Sequence, residues 1–219
     1  MTGDRTTTQD LVLGTFINRS TFRYVRDYPH PRERVWEAIT KPQHWDAWFM
    51  PRSRVDARVG GRFHFTFGRE FADPWSWSGA IAEFAAPEVV DYTFDKGGGM
   101  RFELEAIAGG TRLYLTHTMP RGFVWADGEE GQPGGDEPGG ADAPWRPGGM
   151  AGFLIALINL DSYLASTPRQ SRAELRALYD DKRSEIPGAD WSTLTQTYRR
   201  HIAHTIPGGV VEKGDSSQS

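Results

Sequence analysis

The segment RFHFTF, Arg62 to Phe67, sets Phe63, Phe65 and Phe67 on one side of an extended chain and Arg62, His64 and Thr66 on the other. A period of two is a strand's period, and it leaves an apolar face that must find cover. Trp77 to Phe84, Val89 to Asp95, Met100 to Ile107 and Arg112 to Met119 read as four further strands. KGGG and AGGT separate the last three, and their glycines supply the positive φ angles that tight hairpins need. The expected result is an antiparallel meander. The chain's longest apolar run, MAGFLIALINL from Met150 to Leu160, is the natural cover for that face. It is about half the roughly 20 residues required to span a bilayer, so it reads as a buried helix. On a helical wheel Phe153, Leu157, Leu160 and Leu164 form the main stripe, while Leu154, Ile155 and Ile158 make a second patch roughly opposite. The sheet covers the first; either the C-terminal tail or the partner in a homodimer covers the second.

Upstream, Phe16 to Tyr28 reads as one strand with Phe22, Tyr24, Arg26 and Tyr28 on a shared face. Arg32 to Ile39 follows as a short helix opened by Pro31, with Val35, Trp36 and Ile39 on its apolar side. Thr40 and Gln43 stand at capping-box spacing before a second short helix, on which Trp45, Trp48 and Phe49 share a side.

The net charge of -4 comes from one segment. Arg121 to Gly149 carries six acidic residues, nine glycines and four prolines against two arginines, a composition that cannot bury enough apolar area to order itself. It reads as a mobile acidic loop. Outside it acids and bases balance, which leaves no basic face for nucleic acid. There is no cysteine, hence no disulfide or thiol chemistry, and no charged, apolar leader, so a cytoplasmic location with no membrane span is expected. The expected organisation is a flexible start over 1–15, one domain over 16–167, a helical extension over 168–206 and a disordered tail over 207–219. In the extension Ser171 and Glu174 have capping-box spacing, and Trp191, Leu194, Tyr198 and Ile202 align on one face.

Five stretches carry a family resemblance: YPHPRERVWEAITKPQHWDAWF, RVGGRFHFTF, SGAIAEFAAPEVVDYTF, GGTRLYLTHT and GFLIALINLDSYL. Together, from about Phe22 to Leu164, they resemble the START-like SRPBCC superfamily. More narrowly, they resemble the group named after the C-terminal domain of the activator of the heat-shock-protein-90 ATPase. The resemblance implies an α+β helix-grip fold: a curved antiparallel sheet wrapped around a long C-terminal helix, two short helices after the first strand, and a cavity between sheet and helix. Members of the superfamily include lipid and polyketide binders, aromatases and cyclases, and self-resistance proteins. The fold does not choose among these. Where relatives usually carry Gly-Trp-His at the start of the long helix, this chain has Gly152, Phe153 and Leu154, which removes two polar groups.

Against that framework, Trp45, Trp48, Phe63, Phe65, Trp77, Tyr92, Phe102, Leu115, Phe153 and Leu157 are the candidate cavity walls, suited to a flat ligand; Trp75 is a further aromatic near them. Ordinary core packing is the competing account of each. His117 shares the apolar face of Leu113 and Leu115, as a general base, a ligand hydrogen-bonder or a satisfied core histidine. Arg26, on the Phe22 face, suits a carboxylate or enolate oxygen, and Glu83, in register with Trp77 and Ile81, is its candidate partner in a buried pair. WSWSG is no nucleophile elbow, Ser76 and Ser78 are expected to be exposed, and DKGGGM joins two strands rather than cradling phosphate. His201 and His204 lack a third ligand in sequence, so no metal and no cofactor is expected.

Three functions follow. One is a binder of a small apolar or aromatic, polyketide-like molecule, for sequestration or self-resistance. The second is a cofactor-independent cyclase, dehydratase or isomerase with His117 as base and Arg26 as oxyanion partner. The third is a chaperone-cofactor module.

Overall fold

Alternation and glycine turns produce the meander in the places they mark. In the computed structural model, residues 13–18, 20–50, 52–66, 76–119, 147–165, 193–194 and 196–198 are described. The strands are β1 (Thr15–Asn18), β2 (Thr21–Tyr28), β3 (Arg54–Val55), β4 (Arg62–Phe65), β5 (Trp77–Ala85), β6 (Val89–Phe94), β7 (Gly99–Ile107) and β8 (Gly110–Thr118). They form one antiparallel sheet in the order β1-β2-β8-β7-β6-β5-β4-β3, curved and not closed. Helices α1 (Arg32–Thr40) and α2 (Pro42–Trp48) separate β2 from β3, and α3 (Pro147–Ala165) packs across the inner face. This is the helix-grip arrangement.

Two glycines make the turn into β4. Gly60 has φ +74°, and a Cβ on Gly61 would stand 1.9 Å from the Asp56 carbonyl oxygen. No other residue fits there without moving the backbone.

Three local expectations are corrected. Phe16 to Tyr28 is a hairpin and not one strand: the Asn18 side chain accepts from the Ser20 N–H at 2.9 Å and its hydroxyl at 3.0 Å, an Asx-type turn that folds β1 back on β2. Thr40 ends α1, its hydroxyl donating to the Trp36 carbonyl at 2.6 Å, and α2 starts at Pro42 without a side-chain cap. In β5 the pairing shifts between Ile81 and Glu83, so one extra residue flips everything after it. Trp77, Gly79 and Ile81 keep the inner face, whereas Glu83 turns outward.

Polar tips of aromatic side chains hold the helices over the sheet. Tyr24 donates to the Met150 carbonyl at 3.0 Å and Tyr28 to that of Leu157 at 2.9 Å, two attachments of β2 to α3. Tyr92 donates to the Ile39 carbonyl at 2.8 Å, and the Trp48 indole N–H to that of Ala38 at 2.9 Å. On the other side of α3, Leu154 and Ile155 are buried within the chain itself, and Leu194 and Tyr198 join the same core. Tyr198 donates to the Leu13 carbonyl at 2.9 Å and packs edge-on to Phe22. The N-terminal segment, the acidic loop and most of the C-terminal extension lie outside the described residues.

Trp48 is therefore a bracket between α1 and α2. Replacing it with phenylalanine keeps a ring but leaves the buried Ala38 carbonyl without its donor. The expected cost is about 1–3 kcal/mol in urea unfolding, with the slope of the transition unchanged.

Candidate functional site

Strand alternation and the α3 stripe converge on an aromatic interior. Trp45 lies 4.7 Å from Trp48, 4.6 Å from Phe65, 5.6 Å from Tyr92 and 5.7 Å from Phe102, ring centre to ring centre. Phe63 meets Tyr92 edge-on at 5.1 Å. These six rings, with Leu115 and Leu157, are all buried. Pairs of this geometry add about 0.5–1.5 kcal/mol each beyond area burial, so the group is rigid.

The other expected wall residues form a separate end. Trp77, only half-buried, stacks on Phe153 at 5.8 Å with the ring planes 7° apart. Phe153 in turn lies 4.5 Å from His117, and Phe94 stands edge-on to that imidazole at 6.1 Å. Phe49, at the end of α2, closes the group at 5.6 Å from Phe153 and 6.2 Å from Trp77. The structure thus joins Trp77, Phe153 and His117 at one end and packs Trp45, Trp48, Phe63, Phe65, Tyr92 and Phe102 into the floor beside them. Phe94 was not among the expected walls, although the alternation Val90, Tyr92, Phe94 carries the signal.

Burial sets the electrostatics. His117 is 6% exposed, and desolvation holds its pKa down to about 3, so the ring is neutral near pH 7. Desolvation also lowers His44, on α2, whose Nδ1 is bonded to the Tyr163 hydroxyl of α3, and His64, whose Nδ1 meets the Ser78 hydroxyl at 2.6 Å. Ser78, like Ser76, is half-buried and not exposed. Asn159 of α3 is 3% exposed, and both its amide atoms lack a hydrogen-bond partner among the described residues; its burial had no signal in sequence.

Arg26 and Glu83 do not meet. Arg26 is on the inner face opposite Leu113. The β5 bulge puts Glu83 on the outer face, where Arg101 binds its carboxylate at 2.5 Å. Arg101 also reaches Asp91 at 3.3 Å in a part-buried pair, and Arg112 forks onto Asp27 at 2.7 and 2.8 Å in an exposed one, so ion pairs run across the outer face. Among the described residues no group of three or more His, Asp or Glu side chains is arranged to hold a metal, and no helix is long and apolar enough to cross a membrane. Trp75, His201 and His204 lie outside the described residues.

A family model described as Activator of Hsp90 ATPase homolog 1-like protein matches residues 29–138. Among solved structures, MLL2253 from Mesorhizobium loti is similar at TM-score 0.52 and 19% identity, over 68% of this chain and 99% of that one. CalU16 from Micromonospora echinospora is similar at TM-score 0.52 and 18% identity, over 83% of each chain. EF2215 from Enterococcus faecalis is similar at TM-score 0.51 and 16% identity, over 83% and 95%. Identities this low establish a shared fold and nothing finer. No curated protein matches the chain.

The neutral His117 makes stability depend on pH. Above the unfolded histidine value of about 6.5 the ring is neutral in both states and contributes no slope. Below it the unfolded chain takes up a proton that the fold refuses until about pH 3, so stability falls as pH falls. The slope from His117 alone is about 1.4 kcal/mol per pH unit. Urea unfolding between pH 7 and pH 5 should show a His117→Phe variant with a shallower dependence by that one proton; an unchanged slope would mean that the folded imidazole is protonated.

Proposed function

The chain belongs to the Activator of Hsp90 ATPase homolog 1-like family, and on that premise we propose that it binds a small, flat, apolar or aromatic molecule between sheet and α3. The observation that carries the reading is the Trp77–Phe153–His117 stack: two parallel ring faces, one of them half-buried, ending on a neutral imidazole. A planar ligand gains most where it replaces or extends such a stack, because its faces meet rings while its one polar edge finds a hydrogen-bonding nitrogen. A polyketide-like polycycle has that shape, and holding it away from water suits sequestration or self-resistance.

Burial of His117 also separates binding from catalysis. A general base works best with a pKa near the working pH, and a ring held at about 3 is a weak proton acceptor at neutrality. The same neutral ring is well suited to a hydrogen bond with a ligand hydroxyl or carbonyl. The geometry therefore supports a binder better than a cyclase that uses His117 as its base.

Native mass spectrometry of freshly purified protein is expected to retain a copurified small molecule. The stripped protein, titrated with the neutral tricycle anthraquinone, should gain about 2.7 kcal/mol at a hundredfold excess over Kd. Trp77→Ala should weaken that binding at least about tenfold, with a modest fall in the apo melting temperature from its lost contacts to Phe153, Phe49 and Phe94. His117→Asn should keep affinity within a few-fold. An empty protein that anthraquinone does not stabilise, yet that raises the ATPase rate of a chaperone, would replace this reading with the interaction-module one.

A further inference from the structure

The second polar group of the inner face stands apart from that stack. Arg26 lies four residues along β2 from Phe22, which faces His117, so about 13 Å of strand separates the two sites. Strand β1 pairs with β2 only as far as Arg23, and among the described residues no strand flanks Arg26 on that side of the sheet. Arg26 is half-buried at this edge, between Tyr24 and Tyr28, whose hydroxyls bond to α3.

Tyr24 and Tyr28 flank Arg26 on the same face of β2, and Tyr198 packs against Phe22 further along that face. Burial raises the pKa of Tyr24, Tyr28 and Tyr198, and the Arg26 charge opposes that rise in each. Their hydroxyls have partners other than Arg26, the carbonyls of Met150, Leu157 and Leu13, and Tyr24 and Tyr198 also bond to each other. The Nη2 of Arg26 is fully buried and has no hydrogen-bond acceptor among the described residues. Asp161, exposed on α3, acts on Tyr28 through its charge but forms no ion pair with Arg26 among the described residues. A cation with one buried nitrogen and no acceptor for it is costly, and an anion would supply that acceptor.

We propose that Arg26 is the anchor of an anion site at the β2 edge, taking the carboxylate of a small organic acid through its half-exposed side. The guanidinium's planar fork matches a carboxylate's two oxygens. The site is separate from the Trp77 stack and does not depend on it.

Benzoate and its neutral isostere benzamide are the probes, at matched ionic strength in sodium chloride, with the full chain. Benzoate should raise the melting temperature saturably and shift the Arg26 Nε–H resonance, with at least about tenfold preference over benzamide. Arg26→Met should abolish that preference, and Arg26→Lys, which keeps the charge and loses the fork, should weaken it about tenfold. Trp77→Ala should leave benzoate binding untouched while it impairs anthraquinone, so failure of either site shows independently. Equal responses to benzoate and benzamide, or a benzoate response that survives in both Arg26 variants, overturns the proposal. So does a fall of several degrees in the ligand-free melting temperature of both Arg26→Met and Arg26→Gln, which would show the guanidinium already paired within the chain.

Discussion

An apolar helix laid on an apolar sheet has nothing to stop it rotating or sliding, and the hydroxyls of Tyr24 and Tyr28 supply the stop. Side chains such as Leu157, Leu160 and Leu164 are interchangeable to a good approximation, so burial alone selects no unique seating for α3. Two hydrogen bonds from one strand, to the carbonyls of Met150 and Leu157, select one. Donors that are buried must find acceptors, and only one rotation of α3 offers both carbonyls at once. Trp48 and Tyr92 do the same for α1 and α2 through Ala38 and Ile39. The position of Phe153 follows from that seating, and with it the stack on Trp77 and the approach to His117.

The large features were legible in sequence because they rest on periodicity and turn chemistry. The alternation in RFHFTF and TRLYLTHTM, the glycine turns, and the length of the apolar run near Met150 each have one structural solution, and β4, β7, β8 and α3 are those solutions. Smaller features escaped where a single side chain competes with the pattern. The Asn18 carboxamide folds a continuous-looking strand into a hairpin. Thr40 satisfies itself on the Trp36 carbonyl and so does not cap α2. One extra residue between Ile81 and Glu83 inverts the face of Glu83, which no count of twos could foresee.

That inversion bears on the candidate site more than on the fold. With Glu83 paired to Arg101 outside, the inner face loses the carboxylate that would have balanced Arg26. The wall residues were identified by the same alternation that made the sheet, so they were legible as a set. Their division into a rigid floor around Trp45 and a more open end at Trp77 was not, because it depends on the helix seating. Trp48 illustrates the difference: its spacing on α2 groups it with Trp45, yet its indole nitrogen is spent on Ala38.

The two faces of the sheet then divide the labour. Outer pairs such as Arg62–Asp95 and Arg112–Asp27 are exposed, and pairs of that kind contribute roughly 0–1 kcal/mol. They fix cross-strand register more than they stabilise. Both edges of the sheet are short, four residues in β1 and two in β3, which limits pairing with another chain. The inner face differs: it carries His117 as a neutral ring at one end and Arg26 opposite Leu113 at the other. These two groups lie at separate ends of the β2–β8 ladder, and Tyr24, bonded to the Met150 carbonyl of α3, stands between them.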